Sequence, residues 1–155
     1  MDDTTTSLRS ISQLMIKEPT YQQAWDRGIH WLLTLQNRDG GWAAFEKDTG
    51  NKLLNLIPIE GAAYLLTDPS SADLTGRTLE FFGNFTNLSK NHPAIKDAVG
   101  YLKRHQEKDG SWNSRWGICY IYGTWAAITG MIATGVDTQH ASIQKAFHWL
   151  KHSKR

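Results

Sequence analysis

The sequence has a single cysteine, Cys119. No disulfide can therefore form within the chain, and such thiol usage fits a reducing compartment. It lacks an apolar run long enough to cross a bilayer, and no stretch reads as a secretory signal peptide. Neither sign of charge is in excess. The net formal charge of +2 excludes strong electrostatic steering of nucleic acid, so no nucleic-acid partner is expected. The basic tail KHSKR is short and reads as a solvated end. Metal-ligand spacing is also missing. Of histidines 30, 92, 105, 140, 148 and 152, only His148 and His152 are spaced i, i+4, and that pair reads as solvated. Large rings, by contrast, are abundant, with seven tryptophans, five tyrosines and five phenylalanines in 155 residues. A chain of this length can bury one real core. Such a core does not need so many rings, so some of them are expected to line something.

Helical periodicity dominates, and no alternating strand pattern is seen. Leu8, Ile11, Leu14 and Met15 fall on one helical face, with Pro19 expected to end that segment. Tyr21, Ala24, Trp25, Gly28, Leu32 and Leu35 form a second stripe. Gly50 and Pro58 punctuate a loop-like stretch after Trp42, followed by a short apolar piece, AAYLL. Asp68 is expected to cap a helix that has Pro69 in its first turn and Leu74, Thr78, Phe81, Phe82 and Phe85 on one face. Pro93 starts a further helix that buries Ile95, Ala98, Val99 and Leu102. Residues Ile118 to Thr134 are apolar almost all round and predict an inner helix, with Gly135 as its C-cap. A last helix is expected to begin near Asp137 and to carry Ile143, Ala146, Phe147 and Leu150. The class is all-α, built from helical hairpins joined by turns rich in glycine and tryptophan.

A repeat runs through these helices. RGIHWLLTLQNRDGGW (27–42) and KDAVGYLKRHQEKDGSW (96–112) share one plan: a basic residue, an aromatic–leucine pair, a glutamine, then Asp-Gly-x-Trp. Trp31 corresponds to Tyr101, Gln36 to Gln106 and Trp42 to Trp112. A third copy starts in KAFHWLKHSKR, with Lys154 where its glutamine would stand. The glutamine ends a helix, where carbonyls lack partners, and its amide can bond backbone there and stack on the tryptophan. The repeat is thus a clamp between helices, and Trp42 and Trp112 are expected to be structural.

These residues resemble a known family. RGIHWLLTLQNRDGGW matches the QW motif of the squalene–hopene and oxidosqualene cyclases, the class II terpene cyclases. The second copy departs only at Asp97, where glycine or alanine is usual. DGSWNSRWGICYIYGTW and TDPSSADLTGR are similar to other family segments. GGWAAFEKD, IPIE and WGICYIYGTWA look most like the branch acting on tetraprenyl-β-curcumene. The likeness covers nearly the whole chain. It implies part of an α/α barrel (toroid), with residues 1–155 forming an incomplete domain. The family's acid motif is Asp-x-Asp-Asp-Thr. Met1 falls at its x position, Asp2, Asp3 and Thr4 follow, and the first aspartate is absent. The expectation is therefore a middle-to-C-terminal piece that begins inside the acid motif and stops partway through a third repeat.

The resemblance also implies a chemistry. These enzymes protonate a terminal alkene of a linear polyprene, here squalene or tetraprenyl-β-curcumene, and guide ring closure through carbocations. An alkene is a very weak base, so the donor must be a strong acid that still holds its proton. Clustered carboxyls arrange that, because like charges a few ångströms apart cannot all ionise. Asp2 falls at the donor position and Asp3 at the supporting one. By themselves, two acids at a helix start are equally an N-terminal dipole device. Asp73 and Arg77 share a helix face and are implied to sit behind the acid motif. Histidine is frequent in the family where Arg77 stands, and a cation there can hydrogen-bond the carboxylates; an ordinary structural ion pair is the plainer alternative. Phe45, Trp116 and Tyr122 match cavity aromatics whose faces can shelter cations. Tyr120 is a further candidate, and core packing is the plain alternative for all four. Ile59 falls near the family's substrate-channel constriction, where phenylalanine is common, which implies wider access for a bulkier substrate. No cofactor and no metal are implied.

The family further implies peripheral association with the cytoplasmic face of the cell membrane through the full-length enzyme, and it allows a homodimer. The competing reading is a helical module without activity of its own. On that view an unshielded cation would be quenched by water, and the chain alone is expected not to cyclise squalene. Exposed apolar surface and self-association are expected as well. Other α/α-barrel enzymes fit less well. A protein prenyltransferase needs zinc ligands, and a glycosidase needs facing carboxylates that cannot be placed here.

Overall fold

A computed structural model describes residues 2–12, 14, 18–49, 67–116 and 119–153. Among these residues there are six helices and no strand: α1 Asp2–Ile11, α2 Pro19–Thr34, α3 Ala72–Phe85, α4 Pro93–Arg104, α5 Cys119–Ala133 and α6 Ala141–His152. The expected all-α class is what is found. The helices lie in two layers. α1 packs on α3, and α3 packs along α5. α2, α4 and α6 each pack against their chain neighbours α1, α3 and α5.

α3 and α5 lie close because each carries glycine at the crossing. A methyl on Gly76 would overlap the Ala126 carbonyl, and one on Gly130 would overlap the Gly76 carbonyl. Around this contact the core gathers Trp25, Leu32, Trp42, Phe81, Phe82, Leu102, Trp112 and Met131. Trp25 meets Phe81 and Trp42 meets Phe82 at ring separations of 5.6 and 5.8 Å, within the range of favourable aromatic pairs.

The clamp is built twice with the same bonds. The indole N–H of Trp42 donates to Leu32 O at 2.8 Å, and that of Trp112 to Leu102 O at 2.7 Å. Each ring thus satisfies a carbonyl near the end of its own preceding helix. The backbone N–H of Trp42 donates to the Thr75 hydroxyl, and that of Trp112 to the Thr124 hydroxyl. Gln36 donates to Gly40 O and Ala94 O, and Gln106 to Gly110 O and Ser142 O, all at 2.8–2.9 Å. The glutamine therefore ties the end of one helix to the first turn of the next helix in its layer. Gly40 and Gly110 take φ of +92° and +100°, the left-handed region that glycine enters freely. The copies use their matching aromatic position differently: Tyr101 is buried and donates its hydroxyl to Ser70 O at 2.8 Å, whereas Trp31 is 44% exposed.

Several expected boundaries move. α1 stops at Ile11, where the Ser12 hydroxyl turns back onto Arg9 O. Leu8 is buried there, Leu14 is exposed, and Met15 lies outside the described residues. Pro19 does not end a helix but opens α2, in a position that needs no N–H. α3 begins at Ala72, so Asp68 and Pro69 lie outside it, in the chain before its N-terminus. α6 begins at Ala141, capped by His140 Nδ1, which accepts from the Ser142 N–H; Asp137 sits in the turn before. His92 caps α4 in the same way, just before Pro93. α5 is less enclosed than its composition suggested, with Ile121 53% and Trp125 41% exposed. Gly135 follows it at φ +88°, as a C-cap should.

Candidate active site

The site lies where α1, α3, α5 and two turns meet. Asp2 and Asp3 occupy the first turn of α1, where the helix dipole favours negative charge. The dipole role and a place at the site therefore coincide. Both line a hollow of about 350 Å³ together with Ala44, Phe45, Asp73, Leu74, Trp116 and Tyr122. Six of the nine sequence-selected residues thus border one space, although four separate stretches of chain supply its acids and rings.

Arg77 reaches the group from α3. Its Nε donates to Asp2 Oδ1 at 2.7 Å, and its Nη1 donates to the Tyr122 hydroxyl at 3.2 Å. Partial burial alone would lower its pKa. The charge of Asp2 and the bonds to Tyr122 and Asp2 outweigh burial, and the net direction is upward. The guanidinium is paired with Asp2 across the helices, and no ion pair joins it to Asp73 one turn away.

Asp73 is 1% exposed. Its Oδ2 accepts from the Ser114 hydroxyl at 2.8 Å and from the Trp116 N–H at 3.3 Å. Its Oδ1 is buried without a partner among the described residues. An unsatisfied buried carboxyl oxygen costs free energy and marks a polar group held for some other purpose. The three carboxyls line the hollow without converging as a metal-holding group.

Three rings border the same hollow. Phe45 meets Trp116 edge to face, with centroids 5.9 Å apart and planes at 90°. Phe45 is 75% exposed and Trp116 54%, so core packing does not account for either. Tyr122 is half-buried, its ring 5.6 Å from Trp125.

Two selected residues are not part of this arrangement. Tyr120 is two positions from Tyr122 on α5 and so points to another side of the helix. It faces Trp149 at 6.4 Å, beside Glu107, Lys108 and Asp109. Ile59 lies outside the described residues. Sequence reasoning missed Ala44 and Leu74, although each adjoins a selected residue. It also missed Ser114, for which no spacing signal exists.

Comparison with known proteins agrees with the all-α fold. The profile of the family described as "Squalene-hopene cyclase C-terminal domain" matches residues 1–155. The chain belongs to the squalene–hopene cyclase family. It is 52% identical over 136 residues to the sporulenol synthase of Bacillus subtilis, covering 88% of this chain and 21% of that protein. It is 38% identical over 136 residues to the squalene–hopene cyclase of Alicyclobacillus acidocaldarius, covering 87% of this chain and 21% of that one. With the cycloartenol synthase of Dictyostelium discoideum it shares 39% over 124 residues, 75% of this chain and 18% of that protein. The chain spans about a fifth of the length of the curated relatives it matches.

Proposed function

We propose that this chain supplies the acid wall and part of the aromatic wall of a class II polyprene cyclase, acting on squalene or tetraprenyl-β-curcumene. The observation that carries the reading is the convergence of Asp2, Asp3 and Asp73 with Phe45, Trp116 and Tyr122 on one hollow. Asp2 gives its proton to the terminal alkene. Arg77 binds Oδ1 of Asp2, leaving Oδ2 to carry that proton, and stabilises the carboxylate left behind. Asp3 and Asp73 border the same hollow as Asp2. The carbon cation then moves along the faces of Phe45, Trp116 and Tyr122. Each desolvated ring is worth ~0.5–2 kcal/mol without offering a lone pair that would trap the cation. Proton loss or water capture ends the sequence.

The exposure of Phe45 and Trp116 supports a second statement about the chain by itself. With those rings 75% and 54% open, water reaches the hollow and would quench a cation there. The 155 residues alone therefore do not cyclise a polyene, and turnover requires a cyclase of full family length. Such an enzyme works at the cytoplasmic face of the cell membrane as a peripheral protein, because its hydrocarbon substrate resides in lipid; co-sedimentation with liposomes tests this. For activity, the test is to exchange these residues for the matching segment of B. subtilis sporulenol synthase. Gas chromatography should find cyclised product from the hybrid and none from the chain alone. A hybrid that folds and makes no product contradicts the reading.

A further inference from the structure

We infer that Asp68 is a positioning residue for the cavity ring of Phe45, an assignment that rests on the functional reading above. The Asp68 carboxylate accepts consecutive backbone N–H groups: Ala44 through Oδ1 at 3.2 Å, and Phe45 and Glu46 through Oδ2, the latter at 3.0 Å. Successive N–H groups pointing into one concavity form an anion nest, and here a side chain of the same protein fills it. Asp68 is itself held. Its N–H donates to the Thr49 hydroxyl at 3.1 Å, and that hydroxyl reaches back to Asp68 O at 3.4 Å. The carboxylate that the sequence suggested as a helix cap thus caps the turn that carries Phe45.

Exposure explains why this matters. A buried ring is held by its neighbours, but Phe45 is 75% exposed. Among the described residues it pairs edge to face with the half-open ring of Trp116. Its place beside the acids is therefore set by its backbone, and that backbone is fixed by Asp68. A ring displaced by an ångström loses much of its hold on a cation, because the attraction depends on distance to the ring face. The cation is then released before the last ring closes. Asp68 acts on the fate of the cation through Phe45, not on proton delivery.

The experiment uses the hybrid cyclase described above with tetraprenyl-β-curcumene, and reads the ratio of incompletely to fully cyclised product. That ratio is blind to loss of folded enzyme, because unfolded enzyme makes neither product. Asp68→Asn keeps the shape but puts an NH2 group where an oxygen received N–H donors. It is expected to raise the ratio by about 2- to 30-fold, the worth of one desolvated ring contact. Phe45→Ala should do the same, and Asp68→Asn combined with Phe45→Ala should go no further than Phe45→Ala alone. Thr49→Val, which removes only the hydroxyl tie, should shift the ratio the same way by less, and covers the case in which Asp68→Asn does not fold. An unchanged ratio in both Asp68→Asn and Thr49→Val, or effects that multiply in the double variant, would overturn the inference. Absence of cyclised product from the unsubstituted hybrid would refute the functional reading and this inference with it.

Discussion

Arg77 donates to Asp2 at 2.7 Å across helices α3 and α1, and the same guanidinium reaches the Tyr122 hydroxyl on α5. One cation thus spans the proposed proton donor and a ring that borders the hollow. Its pKa is raised in the fold. Its charge, and the stabilisation that charge brings, are fully present below arginine's ordinary value and are lost only as pH rises through the higher folded one. Residue 77 therefore gives no titration step in any ordinary assay range. Arg77→Gln in the hybrid is expected to lower turnover at all pH by about 10- to 100-fold, the worth of a hydrogen bond to a charged group. Arg77→His is expected to introduce a new limb, with turnover falling as pH rises through about 6.5, where imidazole loses its proton. A pH–rate profile of Arg77→His parallel to that of Arg77 would argue against a charged partner for Asp2.

Asp73 separates structure from chemistry. Asn at this position keeps an oxygen for Ser114 and the Trp116 N–H, the partners of Oδ2, while the buried unpartnered oxygen becomes an amide. The melting temperature of Asp73→Asn should stay close to the parent, and hybrid turnover should fall by about 100-fold or more, the scale for removing a preorganised polar group from a reacting site. Near-parental turnover would reassign Asp73 to a purely structural role.

The paired tryptophans predict matched losses. Trp42→Phe strands the Leu32 carbonyl and Trp112→Phe strands the Leu102 carbonyl. Each should cost about 1–3 kcal/mol, or about 2–12 °C in Tm for a chain of this size, measured by circular dichroism. The costs should add, because the sites share no partner. A neutral result at either position contradicts the clamp.

Much of this was legible in the residues. Glycine at the Asp-Gly-x-Trp turns, Pro93 at a helix start and the 3.6-residue stripes located the helices and the clamp because each reflects a local steric rule. What failed was what depends on tertiary partners. Asp68 and Pro69 form a plausible helix start, yet the carboxylate is used by a turn 22–24 residues earlier in the chain. His92 and His140 cap helices through Nδ1, a task that histidine composition does not announce. The acids and rings were named through family likeness, but their convergence is a property of the fold. Tyr122 matched a cavity position by family likeness and Tyr120 was a further candidate, and helical geometry sends the two to different sides.

The apolar surface gives a prediction for the chain alone. Ile121 and Trp125 lie one turn apart on α5, 53% and 41% exposed, and Phe147 on α6 is 42% exposed. Gel filtration should show self-association, with binding of an apolar fluorescent dye. Ile121→Lys with Trp125→Lys should reduce both. A monodisperse, dye-silent parent chain would contradict this.

The most direct test of the central claim is product formation by the hybrid cyclase with and without the Asp2 carboxyl. The account predicts cyclised hydrocarbon from the parent hybrid and essentially none from Asp2→Asn, with both proteins melting alike. Undiminished cyclisation by Asp2→Asn would contradict it, since the proton would then come from elsewhere.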